Sequence, residues 1–332
     1  MAILHSERRK GYDIIDAPMS RKRKSRFACL CEYAALRCAC AVVNAVPYRI
    51  ACAIARGLAR LAFACGFQRR RTLERIKSVF PEKDGAECRR IAVASLANVM
   101  QSAVEMIRAH RLDKKWIDEH VKDVKVYADR LRSIVDEGRG AVIFVPHCGN
   151  WYMAAWAMAR YGIPLSAIAA HQRNPYVDAW LQRQYGADVE VLTRGSASVL
   201  QDIRSRISSG RAFAILPDLR VAFPDTEVPF LNGTANVSHG GAMLAVSAGA
   251  PVVVAIMRRE GGLHTFDHLA TLRPSPDAGD RKEEARRIMR EAMALIDEGV
   301  RKTPEQWFWY NSRWILQPPR RRRKTRKADK RT

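Results

Sequence analysis

Between residues 140 and 301, short apolar runs alternate with helical stretches, and this alternation constrains the fold more than any other feature of the sequence. Each run is short enough for one buried strand, and the segments between the runs have the 3.6-residue period of helices. Such alternation predicts an α/β fold with a mostly parallel sheet covered by helices. The runs lie at 140–146, 165–170, 189–192, 212–216 and 251–256, and the helical stretches at about 174–185, 195–209, 238–249 and 279–301.

One histidine stands where a sheet of this kind binds its ligands. His147 directly follows the first apolar run, and parallel sheets bind ligands beyond the carboxyl ends of their strands. Gly149 permits close backbone approach, and Asn150 offers an amide or a helix cap. The N-terminus of the helix that follows favours developing negative charge. These neighbours favour a functional histidine over a merely structural one.

Five segments, in a fixed order, carry a resemblance to a known family. Together they resemble the bacterial lipid A biosynthesis acyltransferases of the lauroyl and myristoyl types, over most of residues 30–316. The segments are HCGNW at 147–151, RNP at 173–175, LPD at 216–218, VPFLNGTANVSHGGAMLAVSAGAPVVV at 228–254 and PEQWFWYNSRW at 304–314.

The resemblance implies an enzyme that moves a fatty acyl chain from acyl carrier protein, or from acyl-CoA, to a hydroxyl of a lipid A precursor or a related envelope glycolipid. It implies that His147 is the general base, held by an acid in an H-x4-D/E motif, because a lipid hydroxyl is a poor nucleophile without a positioned base. No cofactor and no metal are expected. The substrate-binding residues that it implies are Gly149, Asn150, Trp151, Arg173 and Asn174.

The chain departs from this motif at the position of the acid, which is Tyr152. A tyrosine can hold a hydrogen bond but cannot balance an imidazolium with a negative charge at neutral pH. Three interpretations follow: Tyr152 positions a slower base, an acid from elsewhere (Asp218 or Glu105) reaches His147, or the protein is an inactive relative that acts as a scaffold. The predicted catalytic set is therefore His147, Tyr152 and Asp218, and Leu219 is a second departure, from a glutamine.

Two cysteine hypotheses carry less weight. Cys148, beside the histidine, could form a thiol acyl-enzyme, but a small buried hydrophobe is the simpler interpretation. The eight cysteines of the chain include no CxxC pair, and five of them (Cys29, Cys31, Cys38, Cys40 and Cys52) lie between residues 29 and 52 of an apolar N-terminal stretch. Reduced thiols in a cytosolic compartment are therefore expected, rather than disulfides or zinc ligands.

The N-terminal region 27–67 is apolar and predicts association with a membrane. Residues 27–48 make a marginal span because charges interrupt them. The next segment has the pattern of a basic amphipathic helix in the headgroup region. We expect it to lie on the cytoplasmic face of the bacterial inner membrane; the alternative is a pair of ordinary core helices. Its basic residues are Arg49, Arg56 and Arg60, interleaved with Ile50, Ile54, Leu58 and Leu61.

The net charge of +23 is concentrated at the two ends. Residues 1–26 carry a net +5 and residues 319–332 a net +8, which leaves +10 on the body. Anionic membrane lipid is the expected partner; a nucleic-acid-binding protein is the alternative, although no nucleic-acid-binding motif accompanies the charge. The predicted division is a basic extension (1–26), membrane-associating helices (27–68), an α/β acyltransferase domain (69–316) and a disordered polybasic tail (317–332).

Overall fold

The protein is described by a computed structural model over residues 24–186, 189–195, 198–221 and 224–316. The predicted polybasic tail 317–332 and most of the predicted extension 1–26 lie outside the described residues. The rest of the chain forms a mostly parallel sheet flanked by helices, with two apolar helices before it, so the predicted fold class is confirmed.

A seven-stranded sheet in the order β1-β9-β8-β2-β5-β3-β4 forms the centre of the fold. Strands β8, β2, β5, β3 and β4 are parallel to one another, whereas β9 pairs with β8 in the antiparallel sense. The strands are β1 (Val121–Lys122), β2 (Ala141–Phe144), β3 (Leu165–Ala169), β4 (Val189–Thr193), β5 (Ala212–Ile215), β8 (Val252–Glu260) and β9 (Leu263–Leu272). A separate antiparallel hairpin joins β6 (Thr226–Phe230) to β7 (Gly233–Val237).

Helices cover both faces of this sheet. Two hydrophobic clusters lie on either side of β2, one reached by Phe144 and the other by Ile143. Helices α6 and α7 pack on the Ile143 side, and α10 and α11 on the Phe144 side. The helices are α1 (Arg26–Ala45), α2 (Tyr48–Ala64), α3 (Arg69–Val79), α4 (Gly85–Ile107), α5 (Lys114–His120), α6 (Val124–Val135), α7 (Trp151–Arg160), α8 (Pro175–Tyr185), α9 (Val199–Ser208), α10 (Gly240–Ala248) and α11 (Arg281–Lys302).

Helices α1 and α2 are joined by a short turn, and we call this pair the N-terminal hairpin; several of its large apolar side chains are exposed. Helix α2 buries its small residues against α4, chiefly Ala51, Cys52 and Ala55. Its large aliphatic residues face outward instead, and this is the reverse of the arrangement in a water-soluble helix. By length and composition, α1 is the one helix in the described part of the chain that could cross a bilayer. The exposed large hydrophobic residues of the hairpin are Phe27, Leu30, Val42, Ile50, Ile54, Leu58 and Leu61.

Candidate active site

Strand register brings His147 and Asp218 together. The last residues of β2 and β5, Phe144 and Ile215, are partners in the parallel ladder. His147 and Asp218 each follow their strand by three residues, so both side chains leave the sheet at the same height. The Nδ1 atom of His147 lies 2.7 Å from Oδ1 of Asp218, and the His147 backbone N–H donates to Oδ2 of the same carboxylate at 2.7 Å.

Asp218 is held as an anion. Its side chain is fully buried, and burial alone would raise the pKa of this carboxyl group. Attraction to the His147 ring in its protonated form and the hydrogen bonds from His147 and Trp307 outweigh burial and keep the pKa of Asp218 below its usual value. The Trp307 indole donates to Oδ2 at 2.8 Å. An ionised carboxylate only accepts hydrogen bonds, so Nδ1 of His147 carries a proton; in the neutral form of the ring, Nε2 then has the free lone pair.

The other two residues considered as partners of His147 are placed elsewhere. The ring of Tyr152 lies among Trp151, Trp156 and Tyr185, with centroids 5.2, 6.1 and 6.0 Å away. The partner at Nδ1 of His147 is Asp218, so the structure does not give Tyr152 the place of an orienting acid. A tyrosine fits here because its neighbours are aromatic rings that pack against its own ring and do not require a charged side chain.

Cys148 is fully buried and unsuited to nucleophilic catalysis. Burial raises the pKa of its thiol to about 12, and the thiolate is therefore not formed at neutral pH. The residue lies within a hydrophobic cluster beside Trp307. Its role is that of a small apolar side chain, in agreement with the simpler of the two interpretations.

Gly149 is required by the course of the backbone after His147. Its φ angle is +59°, and a Cβ added there would stand 1.7 Å from the carbonyl oxygen of Met257. Its N–H donates to the carbonyl of Gln306 at 3.0 Å, and its carbonyl accepts from the Asn98 amide at 2.8 Å. The polar backbone groups of Gly149 thus bond within the protein, and they fix the turn that carries His147.

Asn150 is fixed by a buried ion pair. Its Oδ1 caps α7 by accepting from the N–H groups of Tyr152 and Met153, and its Nδ2 donates to Oε2 of Glu105 at 2.5 Å. Glu105 is fully buried and faces both terminal nitrogens of Arg259 at 2.6 Å. Burial opposes its ionisation, but Arg259 and His264 outweigh burial and hold the pKa of Glu105 well below its usual range. Glu105 therefore supports the catalytic loop without touching His147.

The C-terminal segment 304–314 closes over this loop. The Gln306 side chain accepts from the Arg259 N–H at 2.7 Å and donates to the Arg259 carbonyl at 2.8 Å. The Phe308 N–H donates to the carbonyl of His147 at 2.9 Å. The aromatic residues of this segment could serve as a belt at a membrane or as core packing, and most of them pack in the core. The buried ones are Trp307, Trp309, Tyr310 and Trp314.

An apolar cavity of about 480 Å³ opens beside His147, a size typical of ligand pockets. It includes Leu165 and Val189, the first residues of β3 and β4, so it runs the height of the sheet. Most of its lining is aliphatic or aromatic, from the sheet and from α6 and α7. We call the end at the strand carboxyl ends the cavity mouth; it is lined by His147, Trp151, Gln172, Arg194 and Arg313.

The remaining predicted substrate-binding residues lie at or near the cavity mouth. The Trp151 ring meets the His147 ring edge to face, with centroids 4.9 Å apart. Arg173 is exposed next to Gln172. Asn174, by contrast, is buried: its Oδ1 caps α8, and its Nδ2 donates to the Cys29 carbonyl at 2.7 Å. Contact of Trp151 and Arg173 with substrate stays a prediction.

A histidine–carboxylate pair at the end of parallel strands, with a long apolar cavity beside it, is the kind of site expected in a lipid acyltransferase. The family model described as bacterial lipid A biosynthesis acyltransferase matches residues 21–315. The chain belongs to this family, whose members are membrane-associated acyltransferases.

A characterised relative agrees with this membership. The chain is 25% identical, over 286 residues, to the phosphatidylinositol mannoside acyltransferase of Mycolicibacterium smegmatis. The match covers 82% of this chain and 88% of the relative. The two proteins therefore correspond over nearly their whole lengths, and the acceptor in the relative's name is a glycolipid that differs from lipid A.

Proposed function

We propose that this protein transfers a fatty acyl group from an acyl thioester, carried by acyl carrier protein or CoA, to a hydroxyl of an envelope glycolipid, with His147 as general base. The observation that carries the proposal is the His147–Asp218 contact of 2.7 Å at the mouth of the apolar cavity. Family membership supports acyl transfer, and the family description and the relative's name both point to a glycolipid acceptor, which we propose is a lipid A precursor or a related glycolipid.

The chemistry follows from the protonation state of the pair. Nε2 of His147 takes the proton of the acceptor hydroxyl as its oxygen attacks the thioester carbonyl. The ionised Asp218 stabilises the imidazolium that forms and keeps its own charge throughout. Collapse of the tetrahedral intermediate breaks the carbon–sulfur bond, and the imidazolium returns its proton to the leaving thiolate. The products are an ester and a free thiol.

The intact pair supports an active enzyme over an inactive scaffold. An inactive relative has no need to keep a buried anion against a histidine, because burying an ion is costly. Here Asp218 is almost fully buried and receives three hydrogen bonds. The acyl chain of the donor would lie along the apolar cavity, with its thioester at the mouth beside His147.

The N-terminal hairpin supports work at a membrane surface. Ile50, Ile54, Leu58 and Leu61 are each between 45% and 59% exposed, and burial of such side chains in the acyl region is favourable. The net charge of +23 adds attraction to anionic lipid, which is abundant on cytoplasmic leaflets. We therefore place the protein on the cytoplasmic face of the inner membrane.

Acyl transfer from a carrier-protein thioester to total envelope glycolipid tests the proposal. Wild type should produce a new acylated lipid in mass spectra, and His147→Ala should lose it. His110→Ala is the matched control, since His110 is an exposed histidine in the short 3-10 turn Ala109–Arg111. Absence of product with wild type would refute acyl transfer and favour the scaffold. Comparison of envelope lipids from cells with and without the gene would name the acceptor and the chain length together.

A further inference from the structure

Both loops at the cavity mouth are tied to the N-terminal hairpin. The first loop carries His147 and ends in Asn150, the N-cap of α7; the second ends in Asn174, the N-cap of α8. In each case the asparagine oxygen caps its helix, and the asparagine NH₂ group is left to donate elsewhere. Both NH₂ groups are linked to the hairpin by hydrogen bonds, that of Asn150 through Glu105 and that of Asn174 directly.

The first link runs through Glu105. Tyr48, the first residue of α2, donates its hydroxyl to Oε1 of Glu105 at 2.6 Å, while Asn150 donates to Oε2 at 2.5 Å. The carboxylate thus joins the hairpin to the catalytic loop in two hydrogen bonds. Hydrogen bonds to a buried carboxylate are among the stronger ones, and Glu105 is fully buried.

The second link is direct. Nδ2 of Asn174 donates to the backbone carbonyl of Cys29 at 2.7 Å and to Oε2 of Glu32 at 3.1 Å, both in α1. Ring contact adds to this link, because Tyr33 of α1 lies 5.8 Å from Tyr176 of α8. Helix α1 therefore holds the loop that carries Gln172 to the cavity mouth.

The hairpin is also the part of the described chain with the densest exposed apolar surface. Of the ten exposed large hydrophobic residues, seven lie on α1 and α2, and Phe67 directly follows the hairpin. Helix α2 packs on α4 through small residues, and helix α1 contacts α8; either helix can shift when the exposed apolar surface changes its surroundings from water to lipid. Any shift reaches the two mouth loops through Tyr48 and through Asn174.

We propose that the α1–α2 hairpin is a positioning element for both mouth loops, so that docking on an anionic lipid surface orders the loop of His147 and the loop of Asn174. This proposal takes one element from the proposed function, which is that the protein docks on a membrane. Tyr48 and Glu32 are positioning residues that act through Glu105 and Asn174. Neither of them contacts His147 in the hydrogen bonds described above.

Hydrogen exchange of the full-length protein, with and without vesicles of phosphatidylethanolamine and phosphatidylglycerol, tests this coupling without any acyl substrate. In wild type, vesicles should slow exchange of amides in both 147–153 and 171–177. Tyr48→Phe removes one hydroxyl. It should lower the protection factor that vesicles add in 147–153 by about tenfold, the effect of one hydrogen bond to a charged group. It should leave 171–177 unchanged.

Glu32→Ala should give the opposite pattern, with a smaller loss confined to 171–177, because the Cys29 carbonyl still accepts from Asn174. Tyr33→Phe is the matched control: it makes the same chemical change in the same hairpin, and its hydroxyl belongs to neither link. Vesicle sedimentation should be equal for all four proteins. A merely structural role for Tyr48 would instead raise exchange equally with and without vesicles.

Three results would overturn the proposal: no added protection of wild type on vesicles, full protection in Tyr48→Phe, or equal losses in both loops for either variant. The separate acyl-transfer assay with His147→Ala decides the proposed function. A protein that fails that assay while showing the crossed exchange pattern would keep the coupling and lose the proposed reaction. A protein that transfers acyl groups without the crossed exchange pattern would keep the proposed reaction and lose the coupling.

Discussion

Replacing Asp218 by asparagine isolates the charge that the site depends on, because the shape of the side chain is almost unchanged. Two donors, the His147 N–H and the Trp307 indole N–H, converge on Oδ2, while Oδ1 faces Nδ1 of His147. The asparagine side chain can place its amide oxygen at the position of Oδ1 or at that of Oδ2, but not at both. With the oxygen toward Nδ1, two buried donors would face an NH₂ group, at about 1–3 kcal/mol for each unsatisfied donor.

The favoured orientation therefore points the NH₂ group at Nδ1 of His147. Nδ1 must then accept, so the imidazole proton moves to Nε2. A histidine with its proton on Nε2 cannot take a proton from the acceptor hydroxyl. In serine proteases the corresponding change lowers turnover about 10⁴-fold, which is about 5.4 kcal/mol of transition-state stabilisation. We expect a loss of that order for Asp218→Asn.

Single-turnover acyl transfer measures this effect, and Tyr152→Phe supplies the contrast. The Tyr152 ring packs among aromatic residues, so removal of its hydroxyl should change the rate less than about threefold. Thermal unfolding should show that both variants are folded. An Asp218→Asn enzyme with more than about a tenth of the wild-type rate, or a Tyr152→Phe enzyme as slow as it, would refute the reasoning.

Three further outcomes are expected. Gly149→Ala should lower the free energy of unfolding by at least about 2 kcal/mol in urea titrations, since its Cβ meets a backbone carbonyl; Gly57→Ala, in open space, is the control. The pKa of Glu105 is depressed in the folded protein. Its contribution to the free energy of unfolding is therefore complete above the ordinary carboxyl pKa and is lost as the pH falls through the pKa of the folded state. Stability should thus fall in acid, and more steeply than in Glu105→Gln, which starts about 3–5 kcal/mol lower at neutral pH. Ile54→Glu with Leu58→Glu should abolish sedimentation with anionic vesicles, whereas Val126→Glu, an equally exposed change on α6, should not.

The strands that position the site could be predicted closely from the sequence. The apolar runs 140–146 and 212–216 bracket β2 and β5, because a strand buried on both faces is marked by continuous hydrophobicity. The positions of His147 and Asp218 after those strands were therefore readable. Their equal distance of three residues from the strand ends is visible only in the structure, because the predicted apolar runs end one residue before His147 and two residues before Asp218.

The pairing itself depends on strand order, which no local pattern records. Strand β5 lies between β2 and β3 in the sheet, although β3 and β4 come before β5 in the chain. The Glu105–Arg259 contact joins residues 154 positions apart, beyond the reach of any local spacing rule. Strand β9 was missed for another reason: it has mostly intermediate burial and carries polar residues such as His268, so neither a buried run nor strict alternation marks it.

The hydrogen bonds made by Gln306 and Trp307 form late in the synthesis of the chain. These residues hold the backbone of Arg259 and the carboxylate of Asp218, yet they are translated after the whole sheet and after helix α11. During synthesis from the N-terminus, helices α1 and α2 are made before the residues that supply the last hydrogen bonds of the histidine pair. A chain that ends before residue 306 therefore lacks both side chains that hold the Arg259 backbone and the Asp218 carboxylate.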